Sequence, residues 1–578
     1  MDSFHPQRVS VRRGGSWHLL GATVFLVALT GVLAGQSTGS EWRGVRFEPR
    51  GISLAGPGLS QHYLVLGVDQ LGNEADVTHL CHITSSHPQI IAVDTDNSVL
   101  TGKSPGRAEI RLTLSDVHDR VEVTVGEGRS EMGVNFSPNV VSILTTKGCN
   151  GAGCHGSPAG QNGFKLSLFG YDIGADHRMI VQGHDGRRVN LEHPERSLLL
   201  RKPTFQVAHG GGRLFDVDSE EYETISSWLQ SGAILDGSGV RLEKLELHPV
   251  ERILAGVGIG QRLAAMGRLS DGTTRDMTRE VRYLSADKAV ATVSPEGTIA
   301  SRGRGLTTIT ARAMGKVATS QVGVIDKPAG NDFPSFKGNN FVDELVFAKL
   351  RKMNVRPAPL SSDEEFVRRV YLDAIGWLPT SEEVHEFVND TQPGKRARLI
   401  DRLLERPEHA SHWTVRFEDW LRNCQLHMQG RSMGVFKDWI REWLRTDRPY
   451  DEFVRRLLTS LGDTMRNPAA NFWNPSADFM SKKFSVTKAT PTVSRLFLGI
   501  RLECAECHNH PLENFTQDDF YGLAAFLARL RVKHGTGAYR RTWYLEESGE
   551  VEHPQTKRPV APKLLAEATP EIPEEIDR

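Results

Sequence analysis

The pattern of apolar and polar residues separates two repeated strand-rich segments from a long helical segment. DVTHLCHITSSHPQIIAVDTDNSVLTGKSPGRAEIRL begins at Asp76, and DMTREVRYLSADKAVATVSPEGTIASRGRGLTTITAR begins at Asp276. In both copies, short runs alternate apolar and polar residues and end at Gly, Asn or Pro, which is typical of half-buried strands. We therefore predict two related β-sandwich domains, at residues 42–126 and 243–326.

The two copies resemble the group 2 bacterial immunoglobulin-like domains of surface proteins. The resemblance is carried by the DxT motif, by a strand of the VAxV type and by a glycine followed by alternating apolar residues. It implies spacer or adhesion modules that bind a glycan or a protein at the cell surface.

The segment between the repeats is rich in Gly, His and Cys. Near its end, Ile225, Trp228 and Leu229 fall at helical spacing before Gly232, and glycine often terminates a helix. We assign residues 132–235 to a small, mainly α-helical domain.

Helical patterning dominates after the linker at residues 330–340. Ser362 with Glu365, and Thr380 with Glu383, predict two capped helix starts. Regularly spaced aromatic residues then predict a helix–helix core, and residues 518–530 predict a further helix. We assign residues 336–530 to a larger α-helical domain and residues 531–578 to a strand, a turn and a C-terminal tail.

The N-terminus has the composition of a secretory signal. Three arginines within the first 13 residues precede an apolar run at 19–33 and the small residues Ala34 and Gly35. The run is shorter than the roughly 20 residues that span a bilayer. We therefore predict a signal peptide at residues 1–35, cleavage near Gly35, no integral membrane span afterwards, and a periplasmic or cell-surface location.

Overall composition excludes one class of partner. The chain is 39% hydrophobic and 24% charged, with a formal net charge of -1. A protein that binds nucleic acid through its general charge is strongly basic. We expect no nucleic-acid partner.

Two cysteine–histidine motifs carry the candidate chemistry. Cys504, Cys507 and His508 have the spacing of c-type heme attachment, in which two thiols add to the vinyl groups of one heme and the adjacent histidine becomes an axial iron ligand. Cys149, Cys154 and His155 form a second such motif, with a four-residue spacer whose Gly-Ala-Gly loop bulges to fit.

Other chemistries remain open at these motifs. Zinc would use Cys504, Cys507 and either His508 or His510, with a fourth ligand from elsewhere. A CxxC pair in an exported protein also suits a redox-active disulfide. The same alternatives, a disulfide or a metal site, apply to Cys149.

The second axial ligand is assigned at one site. His209, in the sequence HGGG, stands where the distal iron ligand of the first motif is expected, and the glycines allow close approach of the backbone. At the second motif the distal ligand is unassigned. An open iron position at His508 would suit a peroxidase-like enzyme, whereas two axial ligands would suit an electron carrier.

A longer resemblance joins these parts. LFLGIRLECAECHNHPLENFTQDDFYGLAAFLARL and GEVEHPQTKRPVAPKLL are similar to a large planctomycete cytochrome c-like family with a CAxCHxHP signature in a helical domain of unknown function. SLLLRKPTFQVAHGGGRLF resembles the small cytochrome domain that precedes immunoglobulin-like repeats in such proteins. Family members usually continue into a further large C-terminal domain.

The predicted fold class is multidomain and mixed. It comprises two all-β immunoglobulin-like sandwiches, a small mainly α cytochrome c-like domain and a larger α-helical domain with a short β tail. The resemblance implies two covalently attached hemes c, electron transfer and a redox partner protein. A cell-surface adhesion or scaffold protein, with a structural metal or disulfide at the motifs, is the alternative.

Overall fold

The computed structural model describes residues 42–565 with short gaps. The gaps are residues 71, 129–133, 236–239, 331, 429, 479–482, 509, 511–514, 536–539 and 555. The predicted signal peptide at residues 1–35 and the end of the tail lie outside the described residues. Within them the chain is multidomain and mixed, with sandwich-like β-sheets in the N-terminal half and a helical C-terminal region, as predicted.

Among its described residues, the first β-domain has ten strands. They are β1 Trp42–Glu48, β2 Ile52–Leu54, β3 Ser60–His62, β4 Leu64–Asp69, β5 Glu74–Asp76, β6 His82–Ser85, β7 Ile91–Asp94, β8 Val99–Gly102, β9 Gly106–Leu114 and β10 Val117–Val125. Their sheets have the strand orders β1-β4-β5, β3-β8-β7 and β2-β10-β9-β6. The inward residues of these strands, among them Phe47 and Ile110, form one apolar core because successive side chains alternate between faces.

Four helices and ten further strands follow in the part of the chain that the structure describes. They are α1 Ser142–Thr146, α2 Ile173–Val181, α3 Leu198–Arg201, α4 Glu220–Gln230, β11 Leu242–His248, β12 Glu251–Ala255, β13 Gly260–Arg262, β14 Ala264–Leu269, β15 Thr274–Asp276, β16 Arg282–Ser285, β17 Ala291–Val293, β18 Thr298–Ser301, β19 Gly305–Ala313 and β20 Lys316–Ile325. Strands β11–β20 repeat the pairing of β1–β10, including the parallel pair β12–β20, which matches β2–β10. The second β-domain is thus a structural copy of the first.

The DxT motif performs the same local task in both copies. The Oδ1 atom of Asp76 accepts the backbone N–H of Thr78 at 3.1 Å, and the Oδ1 atom of Asp276 accepts that of Thr278 at 2.8 Å. Each threonine hydroxyl in turn accepts a strand N–H, from Val65 at 2.8 Å in the first domain. The motif therefore stabilises the turn that follows β5 and β15, because it satisfies backbone groups that the sheet leaves unpaired.

The second carboxylate oxygen of the aspartate in each motif accepts a hydrogen bond from the other β-domain. The Oδ2 atom of Asp276 accepts the backbone N–H of His62 at 2.8 Å and also contacts its ring Nδ1. The Oδ2 atom of Asp76 accepts Nε2 of Gln261 at 3.0 Å. Strands β2 and β15 add a bridge between Leu54 and Thr274, so the two domains share one seven-stranded sheet.

The segment inserted between the β-domains packs around α4. Trp228 and Leu229 of this helix are buried with Phe136, Val140 and Leu200. The segment also contacts the second β-domain, where the Arg312 guanidinium lies 4.7 Å above the ring of Phe169. The insertion is therefore held both by its own core and by a β-domain surface.

The C-terminal region contains nine helices and three strands among the described residues. They are α5 Phe341–Lys352, α6 Asp363–Ile375, α7 Ser381–Asn389, α8 Lys395–Leu404, α9 Pro407–Trp420, α10 Arg431–Arg445, α11 Tyr450–Leu458, α12 Val486–Phe497, α13 Gln517–Ala525, β21 Gly462–Asp463, β22 Leu530–His534 and β23 Arg541–Leu545. Ser362 and Thr380 cap α6 and α7 as predicted, and Thr380 with Glu383 forms a complete capping box.

One helix ends earlier than the sequence pattern suggested. The predicted helix at 518–530 stops at Ala525, since Leu530–His534 pairs with Arg541–Leu545 and needs extended backbone. β23 also pairs with Gly462–Asp463, and Trp543 is buried in the core of the helical region. The segment after 530 is therefore integrated into the helical domain by its hydrogen bonds and packing.

No helix among residues 42–565, as far as they are described, is long and apolar enough to cross a membrane.

The contact between the β-domains gives a testable prediction. Burial alone would raise the pKa of Asp276, but its contacts with His62 and Thr278 hold that pKa below its ordinary value. Asp276→Asn should lower the free energy of unfolding by about 1–3 kcal/mol at pH 7. A depressed carboxyl pKa stabilises the fold above the unfolded pKa of about 3.9 and loses this effect as the pH falls through the folded pKa.

Urea unfolding of both proteins across the acid range measures this difference. The gap in stability should close towards pH 2. Asp116→Asn, on an exposed hairpin of the same β-domain pair, is the matched control and should unfold like the wild type. Equal stabilities of Asp276→Asn and wild type at pH 7 would contradict the prediction.

Candidate functional site: two cysteine–histidine motifs

The first motif is a loop whose hydrogen bonds bring Cys149 and His155 together. The backbone N–H of His155 donates to the carbonyl O of Cys149 at 2.9 Å. Between them the chain folds into tight turns, in which the N–H groups of Cys154 and Gly156 both donate to the carbonyl of Gly151, at 3.0 and 3.1 Å. The four residues of the spacer therefore form turns, and the backbone of Cys149 remains hydrogen-bonded to that of His155.

The two thiols of this motif lie in different surroundings. Cys149 is 8% exposed and packs into the core that contains Trp228, whereas Cys154 is exposed. Burial, with a smaller contribution from the nearby Cys154, raises the pKa of Cys149 to about 12. Since the thiolate is the form that attacks disulfides, Cys149 lacks the usual property of a redox-active thiol.

The ring of His155 is held in one tautomer. Its Nδ1 lies 3.0 Å from the carbonyl O of Phe164, and because a carbonyl only accepts, Nδ1 carries the hydrogen. Nε2 is then the nitrogen with the free lone pair. Burial lowers the pKa of His155, the hydrogen bond to Phe164 acts in the opposite direction, and the nearby His209, Arg188 and Lys202 lower the pKa further. The neutral imidazole is the form that binds a metal.

His209 presents a matching ring. Its Nδ1 donates to the carbonyl O of Gly212 at 3.1 Å, which again leaves Nε2 with the lone pair. The ring centroids of His155 and His209 are 6.4 Å apart, and their planes differ by 11°. A Cβ on Gly211 would lie 3.0 Å from Cε1 of His209, so the glycine leaves room for the ring. The structure thus brings together the two histidines that the sequence analysis paired.

Two other histidines of this domain have a different role. Nε2 of His177 donates to the carbonyl O of Ala233 at 2.8 Å, and Nε2 of His184 donates to that of Gly163 at 3.0 Å. In these two residues Nε2 carries the hydrogen, whereas in His155 and His209 Nε2 has the free lone pair. These contacts identify His177 and His184 as structural residues.

The second motif is a single turn of 3₁₀-helix, Glu503–Glu506. Leu502 and Ala505 are buried against Phe520 and Tyr521 of α13, while Cys504 and Cys507 are exposed. A 3₁₀-helix has three residues per turn, so residues three apart share a face. The CxxC spacing therefore places both thiols on the outer face of a turn whose inner face anchors it.

The helix α13 holds this turn in place. Nε2 of Gln517 and the hydroxyl of Tyr521 both donate to the carbonyl O of Glu506, at 3.0 and 3.3 Å. Asp519 forms a capping box with Thr516 at the start of the helix. The start of α13 is thus fixed by its cap, and the helix in turn holds the Glu503–Glu506 turn through Gln517 and Tyr521.

His508 closes the second motif in the same way as His155 closes the first. Its backbone N–H donates to the carbonyl O of Cys504 at 3.4 Å. The ring of His508 is half-buried and faces the ring of Tyr171 at a centroid distance of 6.4 Å. His510 is buried, and its backbone N–H donates to the carbonyl O of Phe515 at 2.6 Å. The second motif therefore touches the inserted domain that carries the first.

Some residues of the site carry no signal in the sequence. Asp176 is buried, and its carboxylate accepts the N–H and the hydroxyl of Ser167 at 2.5 and 2.6 Å. These bonds fix the segment that begins at Leu166, whose N–H donates to the carbonyl O of His155 at 2.8 Å. Asp176 and Tyr171 contribute to the site through contacts with residues that are separated from them in the sequence, and neither lies in a recognisable motif.

Comparisons with known proteins cover separate parts of the chain. Residues 341–532 match the sequence model of a family described as PSCyt2, protein of unknown function (DUF1549). This match includes the second cysteine–histidine motif and most of the helical region. No curated protein matches the chain.

Solved structures with detectable similarity include domains of an S-layer protein and of a protocadherin. Domains 5-6 of the S-layer protein SbsC are 11% identical, with 50% of this chain and 99% of that chain covered and a TM-score of 0.23. The S-layer protein rSbsC(31-844) is 14% identical, with a TM-score of 0.14. The match covers 50% of this chain and 28% of that chain, so it spans about a quarter of the length of that protein. Human protocadherin-24 EC1-2 is 8% identical over 50% of this chain and 100% of that chain, with a TM-score of 0.12. TM-scores this low support no conclusion about this chain.

The buried carboxyl of Asp176 gives a prediction for the pH dependence of the first site. Burial raises its pKa to about 7, although the Ser167 hydrogen bonds act in the opposite direction. Because the folded pKa is above the unfolded value of about 3.9, the contribution of Asp176 to stability should fall between about pH 4 and pH 7.

Asp176→Asn removes this titration. The difference in unfolding free energy between wild type and variant should change in that pH window and be constant above it. Asp218→Asn, which alters an exposed carboxylate of the same domain, is the control. A difference that does not vary between pH 4 and pH 7 would show that Asp176 is ionised throughout.

Proposed function

We propose that this chain is an exported c-type cytochrome-like protein that transfers electrons. One heme would be attached to Cys149 and Cys154 and held by His155 and His209. A second would be attached to Cys504 and Cys507 and held by His508. The observation that carries the proposal is the pair of matched imidazole rings at the first motif.

His155 and His209 would hold the iron of this heme through their Nε2 atoms. Their ring centroids are 6.4 Å apart and their planes differ by 11°. Both Nδ1 atoms donate to backbone carbonyls, which is the usual second contact of a metal-binding histidine.

The number of donors at the first motif fits heme iron. Heme iron has four porphyrin nitrogens and needs two axial donors from the protein. His155 and His209 supply that number.

The chain's own residues set the conditions for electron transfer. Heme would supply the one-electron chemistry. The carbonyls of Phe164 and Gly212 orient the axial rings, and the low pKa of His155 keeps its lone pair available near neutral pH. The apolar core behind Cys149 limits water at the first site, and burial of this kind tunes a reduction potential.

At the second motif the attachment geometry supports the proposal. Cys504 and Cys507 share the exposed face of a turn, and His508 follows directly and is half-buried. The hydrogen bond from the His508 N–H to the Cys504 carbonyl repeats the bond between His155 and Cys149. The two motifs differ in spacing and in local backbone structure, but both have a hydrogen bond from the histidine N–H to the carbonyl of the first cysteine.

A surface adhesion or scaffold protein is the second candidate. The specific observation that favours it is the rigid pairing of the β-domains through Asp76 and Asp276. Such a pair would present a fixed surface to a glycan or protein partner outside the cell. Under this function, the Glu503–Glu506 turn would be a structural element that packs against α13.

Heme content distinguishes the two functions. The full-length chain, co-expressed with a cytochrome maturation system, should carry heme through denaturing gel electrophoresis. Its intact mass should show two covalent hemes and loss of residues 1–35. Cys504→Ser with Cys507→Ser should remove one heme, and Cys149→Ser with Cys154→Ser should remove the other. A colourless protein under the same conditions would exclude the cytochrome function and favour the scaffold.

The axial role of His209 has its own test. His209→Ala should retain covalent heme but convert one of the two hemes from a six-coordinate to a five-coordinate absorption spectrum, since one axial ligand is lost. His184→Ala, in the same domain, removes a histidine bonded to Gly163 and should leave the spectrum unchanged. A His209→Ala spectrum identical to wild type would exclude His209 as a ligand.

A further inference from the structure

The second cysteine–histidine motif lies directly against the domain of the first. Across this contact, the rings of Tyr171 and His508 have centroids 6.4 Å apart and planes inclined by 46°. Tyr171 belongs to the inserted domain, and His508 is the predicted axial ligand of the second motif. The fold thus brings an aromatic side chain of one candidate heme domain to the iron ligand of the other.

The backbone that carries Tyr171 is strained and closely held. Phe169 has φ 54° and Gly170 has φ 73°. At Phe169 this left-handed conformation is strained, because the residue carries a side chain, whereas Gly170 adopts it freely. A Cβ on Gly170 would lie 2.5 Å from Cγ1 of Val141, so a larger residue does not fit.

Three contacts hold the strained turn in position. The N–H of Phe169 donates to the carbonyl O of Asn150 at 3.1 Å, and its carbonyl accepts the N–H of Gly315 at 3.0 Å. The Arg312 guanidinium covers the Phe169 ring. The insertion and the second β-domain together therefore determine where Tyr171 stands.

The first of these contacts leads to the first cysteine. Asn150, whose carbonyl accepts the Phe169 N–H, directly follows Cys149 in the chain. A continuous route therefore runs from the His508 ring to the Tyr171 ring, along the backbone to Phe169, through one hydrogen bond to Asn150, and on to Cys149. The route has one non-bonded step, between the two rings. Electron tunnelling decays less steeply through bonds and hydrogen bonds than through space.

We propose that Tyr171 couples the two cysteine–histidine sites and forms the route for electrons between them. The inference rests on the proposed function, because it needs a redox centre at each motif. One electron moves from the reduced site to the oxidised site. No bond forms or breaks, and no proton leaves Tyr171. The two motifs then form one two-centre unit and are not independent carriers.

Hydrogen exchange tests the contact itself in the loaded full-length chain. Tyr171→Leu removes the aromatic ring but keeps an apolar side chain. Amide exchange should become faster in peptides covering 165–172 and 501–508. Tyr222→Leu changes another half-buried tyrosine of the same domain, on α4, and should leave these two regions unchanged. Unchanged exchange in Tyr171→Leu would overturn the inference.

Electron transfer between the sites tests the coupling. After rapid photoreduction of the oxidised protein, the two sites should equilibrate several-fold more slowly in Tyr171→Leu than in wild type and in Tyr222→Leu. Heme number by mass and the two midpoint potentials should be the same in all three proteins. Equal rates would overturn the role of Tyr171 while leaving the cytochrome function standing. A wild-type chain without two covalent hemes would overturn the proposed function, and the inference with it.

Discussion

Two aspartates, Asp76 and Asp276, provide the constraint on which the arrangement of this protein depends. Each uses one carboxylate oxygen to fix a turn in its own β-domain and the other oxygen to bind the opposite domain, through Gln261 or His62. Two copies of one fold are thereby paired by reciprocal bonds. Because the inserted domain leaves from one copy and returns to the other, the pairing holds both of its ends.

The pairing has consequences for both ends of the molecule. The second β-domain contacts the inserted domain through Arg312 and Gly315. It also contacts the first helix of the C-terminal region, where Lys349 and Lys352 form ion pairs with Glu251. Exposed ion pairs of this kind contribute little stability individually. These ion pairs join the second β-domain to α5, and the ring contact of His508 with Tyr171 separately joins the second motif to the inserted domain.

The two cysteine–histidine motifs have the same hydrogen bond despite different spacing in the sequence. The motifs have spacers of different length, yet in each the histidine N–H binds the carbonyl of the first cysteine. Burial differs between them, since Cys149 lies in a core and Cys504 is exposed. Two hemes held at these positions would meet different dielectric surroundings, which is one way in which a protein sets two different potentials.

The sequence by itself determined the local features. The alternating pattern around the DxT repeats predicted two β-domains, and Thr380 with Glu383 predicted a helix start, because periodicity and capping depend on near neighbours. The pairing of His209 with His155 was an expectation from the chemistry of the motif, and the fold places their ring centroids 6.4 Å apart. Tertiary structure alone decided the pairing of the β-domains, the return of β23 into the helical core, the burial of Asp176 and the contact of Tyr171 with His508. These features join residues far apart in the chain, and no local pattern records a contact that exists only once separate cores have formed and packed together.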